Sequence, residues 1–445
     1  MEILSEPQLS AALDAAAALG SDAASACAAV RRAHEFCAPE IDAAAVLKAA
    51  EEARALAWTA LHTGPWAAVA PPWRGVYACA CYYAALAHVS TNADDSDAAL
   101  RALDLGLMLG DTRFRPQLLR AAERLEARRG AVGEAATAAA PPPPHPPSVC
   151  RPLSGGARVP RLPRPSLAWF YNECLRPAAP AVLTGVIDGW PARSTRPWSD
   201  LAYLKRVAGH RTVPVEVGAH YLDDAFDERL MTIADFLEAH VEGGGGAAGG
   251  GGATGSGGAY LAQHQLFTQL PQLRRDIAVP DYCSLSLEED EEGGEGDAEE
   301  EEEEAAAEGG AEAEAGGPAK RRRVARRGYP DGPAINAWLG PAGTLSPLHH
   351  DPDHNLLAQV VGSKYVRLYS PEQTERLYPR TDAVHRVSSQ IVDPDAHDAA
   401  RFPRFGGAPY ADVVLNAGEV LYIPPRWWHF VEARETSFSV SFWWT

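Results

Sequence analysis

Cysteine is scarce and poorly spaced in this sequence of 445 residues. The seven cysteines are odd in number and include no C-x-x-C pair, so the sequence predicts neither a disulfide framework nor a zinc finger. The first residues do not join a basic stretch to an apolar one, and no run of about 18 apolar residues is free of charge. We therefore expect no signal peptide, no membrane span, and a reducing compartment, either the nucleus or the cytoplasm.

The sequence also lacks the positive charge that broad nucleic-acid binding requires, because its formal net charge is −19 at pH 7. Much of this excess is local: 16 acidic residues lie between Glu288 and Glu314, and six basic residues follow between Lys320 and Arg327. No direct contact with nucleic acid is expected. The basic cluster is typical of a nuclear-import signal. Alternatively, it neutralises the charge of the adjacent acidic run. The acidic run is typical of a solvated segment.

Composition divides the chain into three parts. Residues 1–130 carry Ala, Leu, Glu and Arg at helical spacing, and amphipathic helices are predicted at 44–61 and 99–109. This part is expected to be a helical bundle or helical-repeat domain for packing or partner binding. Residues 131–165 are rich in proline and are predicted to be a linker. In residues 166–445, short β-branched and aromatic runs between turn residues predict strands at 181–184, 213–217, 365–369, 413–415, 420–423 and 438–443, and a helix is predicted at 232–241. Many short strands of this kind predict a barrel or jelly roll. Two insertions, at about 243–258 and 284–328, are predicted to be disordered. The expected fold class is therefore α+β with more than one domain.

One short motif in the β-rich part has the composition of a metal site. His349-His350-Asp351 is followed by His429, 80 residues after His349. Two imidazoles and one carboxylate can occupy one face of an octahedral Fe(II) and leave three positions open, as in non-haem iron oxygenases. In an extended strand alternate side chains share a face, so we expect His349 and Asp351 to bind the metal and His350 to point away. The same ligands also bind Zn²⁺ or Mn²⁺, so the motif does not decide the metal. Three histidines are predicted to be core or solvent-facing instead: His350, His354 and His385.

Two cations compete to bind the distal carboxylate of a 2-oxo acid that chelates the metal. Lys364 lies 13 residues after Asp351, on what we predict to be the strand adjacent to the metal strand. A buried lysine at this position would supply a point charge for a carboxylate. The alternative interpretation is that Lys364 is a surface lysine on a strand. Arg367 is three residues further on, so the two side chains face opposite sides and only one points inward. Strand alternation alone leaves this choice open.

Residues 334–370 include the metal motif and continue through Lys364 to a Tyr-Val-Arg-Leu-Tyr-Ser run. This stretch resembles the JmjC domain of Fe(II)/2-oxoglutarate oxygenases. It is more narrowly similar to the subgroup called lysine-specific demethylase 8, also described as an arginyl hydroxylase. The similarity extends to residues 211–218, 260–267, 277–283, 418–429 and 437–444. The helical region is more weakly similar to the N-terminal domain of the same subgroup.

The resemblance implies a double-stranded β-helix, which is a cupin-like jelly roll, and a reaction that uses Fe(II), 2-oxoglutarate and O2. It implies that four residues surround 2-oxoglutarate, with Lys364 pairing the distal carboxylate: Tyr260, Ser346, Asn355 and Lys364. It places three residues at the substrate mouth: Glu216, Asn336 and Trp338. For Glu216 the alternative is a surface charge on an edge strand, and for Trp338 it is a core position.

The predicted function is hydroxylation of a protein side chain, with succinate and CO2 released. Arginine is favoured because a carboxylate such as Glu216 can hold a guanidinium in a bidentate fork. The absence of a Cys/His reader module also favours hydroxylation over the first alternative, demethylation of histone N-methyl-lysine. The second alternative is a non-catalytic nuclear scaffold whose helical domain recruits partners. The expected partner is a chromatin-associated protein that carries arginine or methyl-lysine, and the oligomeric state is not predicted.

Overall fold

The computed structural model describes residues 3–38, 40–64, 68–91, 95–130, 157–223, 226–242, 258–287, 332–382 and 384–445. Most of the predicted linker, almost all of the glycine-rich insertion, and the acidic run with its basic cluster lie outside these residues, so the predictions made for them stay predictions. None of the described helices combines the length and the apolar character needed to cross a membrane.

The N-terminal part consists of six α-helices in its described residues: α1 Glu6–Ala17, α2 Ser21–Glu35, α3 Ala43–Leu61, α4 Pro72–Thr91, α5 Ser96–Leu109 and α6 Arg115–Gly130. Polar side chains begin two of them, since Ser5 and Gln8 form a capping box on α1 and Asp42 accepts the Ala45 N–H at 3.1 Å on α3. Helix α4 is buried without interruption from Gly75 to Ala87 and contacts α1, α2, α3 and α5. It is the central helix of this domain, because a helix that is apolar all round must be covered on every side.

The remaining part contains fourteen strands in the described residues: β1 Ala157–Arg158, β2 Arg161–Pro163, β3 Ala181–Thr184, β4 Thr212–Val217, β5 Asp227–Thr232, β6 Ala259–His264, β7 Ala334–Gly340, β8 Leu345–His349, β9 His354–Val361, β10 Ser363–Tyr369, β11 Ala411–Asn416, β12 Glu419–Ile423, β13 Trp428–Ala433 and β14 Ser437–Trp444. Short helices join them: α7 Leu167–Phe170, α8 Leu201–Ala208, α9 Ile233–Phe236, α10 Leu266–Gln269 and α11 Pro271–Arg274.

The strands form two sheets that face each other. The larger has nine strands in the order β2-β3-β12-β9-β14-β7-β6-β4-β5, and the smaller has five in the order β1-β11-β10-β13-β8. Leu357 and Leu421 from the larger sheet pack with Val366 and Val413 from the smaller one in a single buried cluster. Alternation along each strand sends these apolar side chains into the space between the sheets. The predicted α+β class and jelly-roll architecture are confirmed.

The predicted strands at 181–184, 213–217, 365–369, 413–415, 420–423 and 438–443 all fall within observed strands. The helix predicted over 232–241 is correct only in part. Helix α9 ends at Phe236, and the chain continues as a π-helix from Leu237 to Glu242. Helical periodicity covers both forms, because it does not distinguish i→i+4 from i→i+5 hydrogen bonds.

Candidate metal centre and cosubstrate pocket

The structure brings together the three predicted metal ligands. His349 is the last residue of β8 and His429 the second residue of β13, and the two are direct partners in the antiparallel pairing. The ligating atoms of His349, Asp351 and His429 all lie within 4.8 Å of one another. Asp351 lies beyond the end of β8, so the expectation that it shares a strand with His349 was wrong. Its backbone carbonyl instead accepts a hydrogen bond from the Arg426 N–H at 2.7 Å, which ties it to the turn before β13.

Hydrogen bonds to the backbone orient both imidazoles. His349 Nδ1 lies 2.7 Å from the carbonyl oxygen of Pro347, and His429 Nδ1 lies 3.0 Å from that of Trp427. A carbonyl oxygen only accepts, so each Nδ1 must carry the proton and donate it. The proton-free nitrogen of each neutral ring is then Nε2, whose lone pair can bind a cation.

The electrostatics of the cluster favour a bound cation. His429 Nε2 lies 3.5 Å from Asp351 Oδ2, and this buried oxygen has no hydrogen-bond partner among the described residues. Burial raises the pKa of Asp351, and it lowers the pKa of His429 well below its ordinary value, with a smaller contribution from His349. A buried carboxylate oxygen without a donor is costly unless an ion or a proton satisfies it. Two bare imidazole nitrogens and this oxygen therefore fit a divalent metal.

The three histidines that we predicted to be non-ligands lie outside this cluster. The His350 ring packs edge-on against Trp428 at a centroid distance of 4.6 Å. His354 is buried and shares a hydrogen bond of 2.9 Å with the Tyr422 hydroxyl, and burial lowers its pKa to about 4. His385 shares a hydrogen bond of 2.9 Å with Asp382.

A cavity between the two sheets adjoins the cluster. The candidate metal ligands line this cavity. So do the four residues predicted to surround 2-oxoglutarate, which are Tyr260, Ser346, Asn355 and Lys364. The Lys364 ammonium donates to the Tyr260 hydroxyl at 3.0 Å, and Tyr260 is also hydrogen-bonded to Ser346. Within the part of the chain that the structure describes, the buried Asn355 Oδ1 accepts no hydrogen bond. The pocket thus places a buried ammonium group beside the hydroxyl groups of Tyr260 and Ser346, which suits an anionic ligand.

The structure places the two candidate cations on opposite faces of β10. Lys364 is 2% exposed and lines the cavity, and burial lowers its pKa to about 7. The exposed alternative for Lys364 was therefore wrong. Arg367 is buried on the opposite face of β10, where its Nε donates to the Tyr365 hydroxyl at 2.8 Å and Nη2 lies 2.8 Å from Asp395. Strand β10 pairs directly with β13, which carries His429, and β13 separates it from β8, which carries His349. Lys364 therefore lies on a strand adjacent to one candidate metal ligand and not to the other.

The predicted substrate residues take three different positions. Glu216 lies on β4, which is inside the larger sheet between β6 and β5, so the edge-strand alternative was wrong. It lines a small neighbouring cavity that shares Tyr260, and burial, followed by the charge of Glu228, raises its pKa to about 7. Trp338 lines the cavity beside the candidate metal ligands and donates its indole N–H to Ser441 at 2.9 Å. Asn336 is buried and does not line this cavity.

Sequence reasoning missed the apolar walls of the cavity beside the candidate metal ligands, which consist of Leu357, Ile423, Val431 and Trp443. Strand alternation could have identified two of them, because Leu357 follows Asn355 by two positions and Val431 follows His429 by two.

Tyr221 was also missed. Its ring lies edge-on to His349 at 6.5 Å and its hydroxyl is 3.0 Å from that of Ser388. Tyr221 follows β4 in a turn, where no periodic pattern indicates its position.

Comparison with known proteins agrees with this geometry. A family model described as a cupin-like domain matches residues 167–445, and one described as KDM8-like N-terminal ARM repeats matches residues 15–138. Lysine-specific demethylase 8 of Danio rerio is 36% identical over 395 residues, which cover 87% of this chain and 85% of the relative. Lysine-specific demethylase JMJ30 of Arabidopsis thaliana is 36% identical over 423 residues, with coverage of 89% and 86%. Bifunctional peptidase and (3S)-lysyl hydroxylase JMJD7 of Homo sapiens is 26% identical over 332 residues, with coverage of 67% and 87%.

These matches define the chain as a JmjC protein of the cupin-like class, a 2-oxoglutarate-dependent dioxygenase with an ARM-like helical region at its N-terminus. Within that class it belongs to the family of lysine-specific demethylase 8 and JMJ30. The family uses Fe(II), and the His-Asp-His cluster suits that ion. Membership of an enzyme family argues against the non-catalytic scaffold.

Proposed function

We propose that this chain binds Fe(II) and 2-oxoglutarate and removes N-methyl groups from lysine side chains of a protein substrate. The observation that carries the proposal is the buried pocket in which the three candidate ligands and Lys364 meet, on a chain similar over 87% of its length to a lysine-specific demethylase. Demethylation was the alternative in the analysis of the sequence. The names of the two relatives at 36% identity favour it over arginine hydroxylation.

Each residue of the pocket has a defined role in this proposal. His349, Asp351 and His429 hold the metal, with both histidines bound through Nε2. Lys364 pairs the distal carboxylate of 2-oxoglutarate, and Tyr260, Ser346 and Asn355 donate to or orient its oxygens. When bound, the iron and 2-oxoglutarate together supply the activation of O2 and the oxidative decarboxylation that leaves succinate and CO2.

The apolar walls complete the pocket. Leu357, Ile423, Val431 and Trp443 border the polar groups and keep water from the reacting atoms. They also lower the local dielectric, which strengthens the attraction between Lys364 and a carboxylate. The protein therefore contributes orientation, charge and exclusion of water, and no side chain needs to act as a nucleophile.

The overall reaction balances without a further reductant. One oxygen atom of O2 enters succinate and the other hydroxylates an N-methyl carbon, while 2-oxoglutarate loses CO2. The hydroxymethyl amine then loses formaldehyde as its C–N bond breaks, and the nitrogen keeps a proton. The products are succinate, CO2, formaldehyde and a lysine with one methyl group fewer.

Arginine hydroxylation is the second candidate, and Glu216 is the observation that favours it. This carboxyl is partly buried beside Tyr260 at the border of the pocket. A guanidinium at that position would hold Glu216 in its ionised form and form a bidentate pair with it. A methylated ammonium has fewer N–H groups to offer such a carboxylate. Hydroxylase chemistry also appears in the name of the JMJD7 relative, where it refers to lysine.

The test is 2-oxoglutarate turnover by the full chain loaded with Fe(II). Methyl-lysine histone peptides and unmodified arginine peptides are supplied in parallel, and product masses are read. We expect the methylated peptide to lose about 14 Da for each methyl group removed, which is the mass of one CH2. Formaldehyde should be released at the same time. A gain of about 16 Da on the arginine peptide without loss from the methylated one would reject demethylation in favour of hydroxylation. His429→Ala is the control and should show neither product.

A further inference from the structure

A buried ionic cluster joins the helical domain to the catalytic domain. Its members, which we call the interdomain cluster, are Asp104 on α5, Glu126 on α6, and Arg211 immediately before β4. Arg211 Nε lies 3.0 Å from Asp104 Oδ1, and Nη1 lies 2.7 Å from Glu126 Oε1. The exposed fraction is 1% for the Arg211 side chain, 0% for Asp104 and 11% for Glu126. All three charges are therefore withdrawn from water at the junction of the two domains.

Because the Arg211 guanidinium is buried, its charge must be stabilised by partners from the helical domain. A buried charge is tolerated only when charged partners and hydrogen bonds replace its hydration. Both carboxylates that pair with Arg211 come from the helical domain. The catalytic domain adds the Gln269 carbonyl, which accepts from Nη2 at 3.3 Å. Arg211 can thus remain in this position only while the helices are docked.

The same cluster holds the first residue of β4. The backbone N–H of Thr212 donates to Asp104 Oδ2 at 2.8 Å, and the Thr212 carbonyl accepts from the Gln269 side chain at 2.8 Å. One Asp104 carboxylate therefore binds the guanidinium of Arg211 and the main chain of the next residue at once. The start of β4 is fixed relative to α5 rather than by the sheet alone.

Strand β4 leads from this anchor to the border of the active site. Thr212 and Glu216 are separated by four positions, so both lie on the same face of the strand. Glu216 is the direct partner of Tyr260 in the pairing of β4 with β6. Val213 and Val215 are fully buried on the other face, so the strand cannot rotate without losing core contacts. A shift at the anchor would therefore move Glu216 along the strand direction.

We infer that Asp104 and Glu126 are positioning residues for the substrate side of the active site, acting through Arg211 and β4 on Glu216. The helical domain is then a part of the catalytic unit and not a separate module. The inference rests on the proposed function, because it assigns Glu216 to the binding of the protein substrate. It does not extend to 2-oxoglutarate, since Tyr260 is also held by Lys364 and by the pairing of β6 with β7.

The test measures steady-state kinetics of the full chain carrying Asp104→Asn, which removes the charge and keeps the size. The KM for the methyl-lysine or arginine peptide that the wild type accepts should rise about tenfold, less than the hundredfold that a misplacement of about 1 Å can cost. The KM for 2-oxoglutarate and its peptide-independent turnover should stay within about twofold of the wild type. Asp97→Asn is the matched control, because Asp97 lies on the same helix and pairs with Arg129 inside the helical domain. It should change neither KM.

A double-mutant cycle with Glu216→Gln separates positioning from a general loss of structure. If Asp104 acts through Glu216, the peptide KM of the double variant should equal that of Glu216→Gln alone. The inference would be overturned if the two substitutions raised the peptide KM independently, so that the double variant showed the product of the two increases. An unchanged peptide KM in Asp104→Asn would overturn it as well. Glu126→Gln, which leaves Asp104 in place, repeats the test if Asp104→Asn does not fold. A wild type that converts no peptide would instead refute the proposed function, and the inference would fall with it.

Discussion

Replacing Lys364 with methionine should selectively weaken the binding of 2-oxoglutarate. Methionine has a similar length and no charge, so the substitution removes the cation from the cavity and leaves its packing. Lys364 is 2% exposed, and its one side-chain hydrogen bond in the described residues goes to the Tyr260 hydroxyl. No carboxylate in that part of the chain lies within ion-pair distance of Lys364. The distal carboxylate of 2-oxoglutarate would therefore be its first counter-charge.

The expected magnitude follows from the burial of the pair. Leaving one partner of a buried ion pair without the other costs about 3–5 kcal/mol. Each 1.4 kcal/mol corresponds to a tenfold change in binding, so the KM for 2-oxoglutarate should rise by about 100-fold to a few thousandfold. The hydroxyls of Tyr260 and Ser346 still offer hydrogen bonds to the carboxylate, which favours the lower end of this range.

The assay is succinate formation as a function of 2-oxoglutarate concentration. Arg367→Met is the matched control, because it removes a second buried cation from the same strand on the face turned away from the cavity. This control should lose stability and keep its KM for 2-oxoglutarate within about twofold. An unchanged KM in Lys364→Met, or an equal rise in both variants, would refute the assignment of Lys364.

Four other predictions follow from the same geometry. Because the pKa of Lys364 is about 7, the KM for 2-oxoglutarate should be constant below pH 7 and rise above it, as the free enzyme loses the cation; a flat profile from pH 6 to 9 would contradict this. Because the pKa of Glu216 is raised to about 7, the KM for a cationic peptide should fall as pH rises through 7, and Glu216→Gln should remove that dependence. A chelator should abolish succinate formation and added Fe(II) should restore it, whereas His429→Ala should retain less metal by elemental analysis and show no recovery. Leu421→Ala, in the core between the sheets, should lower the free energy of unfolding by about 2–5 kcal/mol in denaturant titration, and a loss below 1 kcal/mol would contradict its burial.

Much of the fold could be predicted from local patterns. Short runs of β-branched and aromatic residues between turn residues identified strands such as 420–423, and helical spacing identified α3 and α5. These signals are local, because they report which face of one element is apolar. The H-x-D motif with a distant histidine predicted the metal cluster for a related reason. Two imidazoles and one carboxylate form the ligand set of non-haem iron sites, so the residue types themselves carry the signal.

Other features depend on how distant segments meet. Lys364 and Arg367 are both buried, so burial does not separate them; the choice depends on which face of β10 the cavity adjoins. Glu216 could not be placed from its own strand, because the pairing of β4 with both β5 and β6 is what removes it from the edge. Asp351 was expected on β8, whereas its position is set by a hydrogen bond from Arg426.

The sequence by itself determined the chemistry that the chain can perform, since ligand types and strand alternation are properties of the residues and their near neighbours. Only the tertiary structure decided which distant segments pack around the site and hold its residues in position. Arg211 and Asp104 are 107 residues apart, and neither is unusual in its own segment. Their pairing exists because α5 packs against the start of β4, and a contact between such distant segments leaves no periodic signal in the chain.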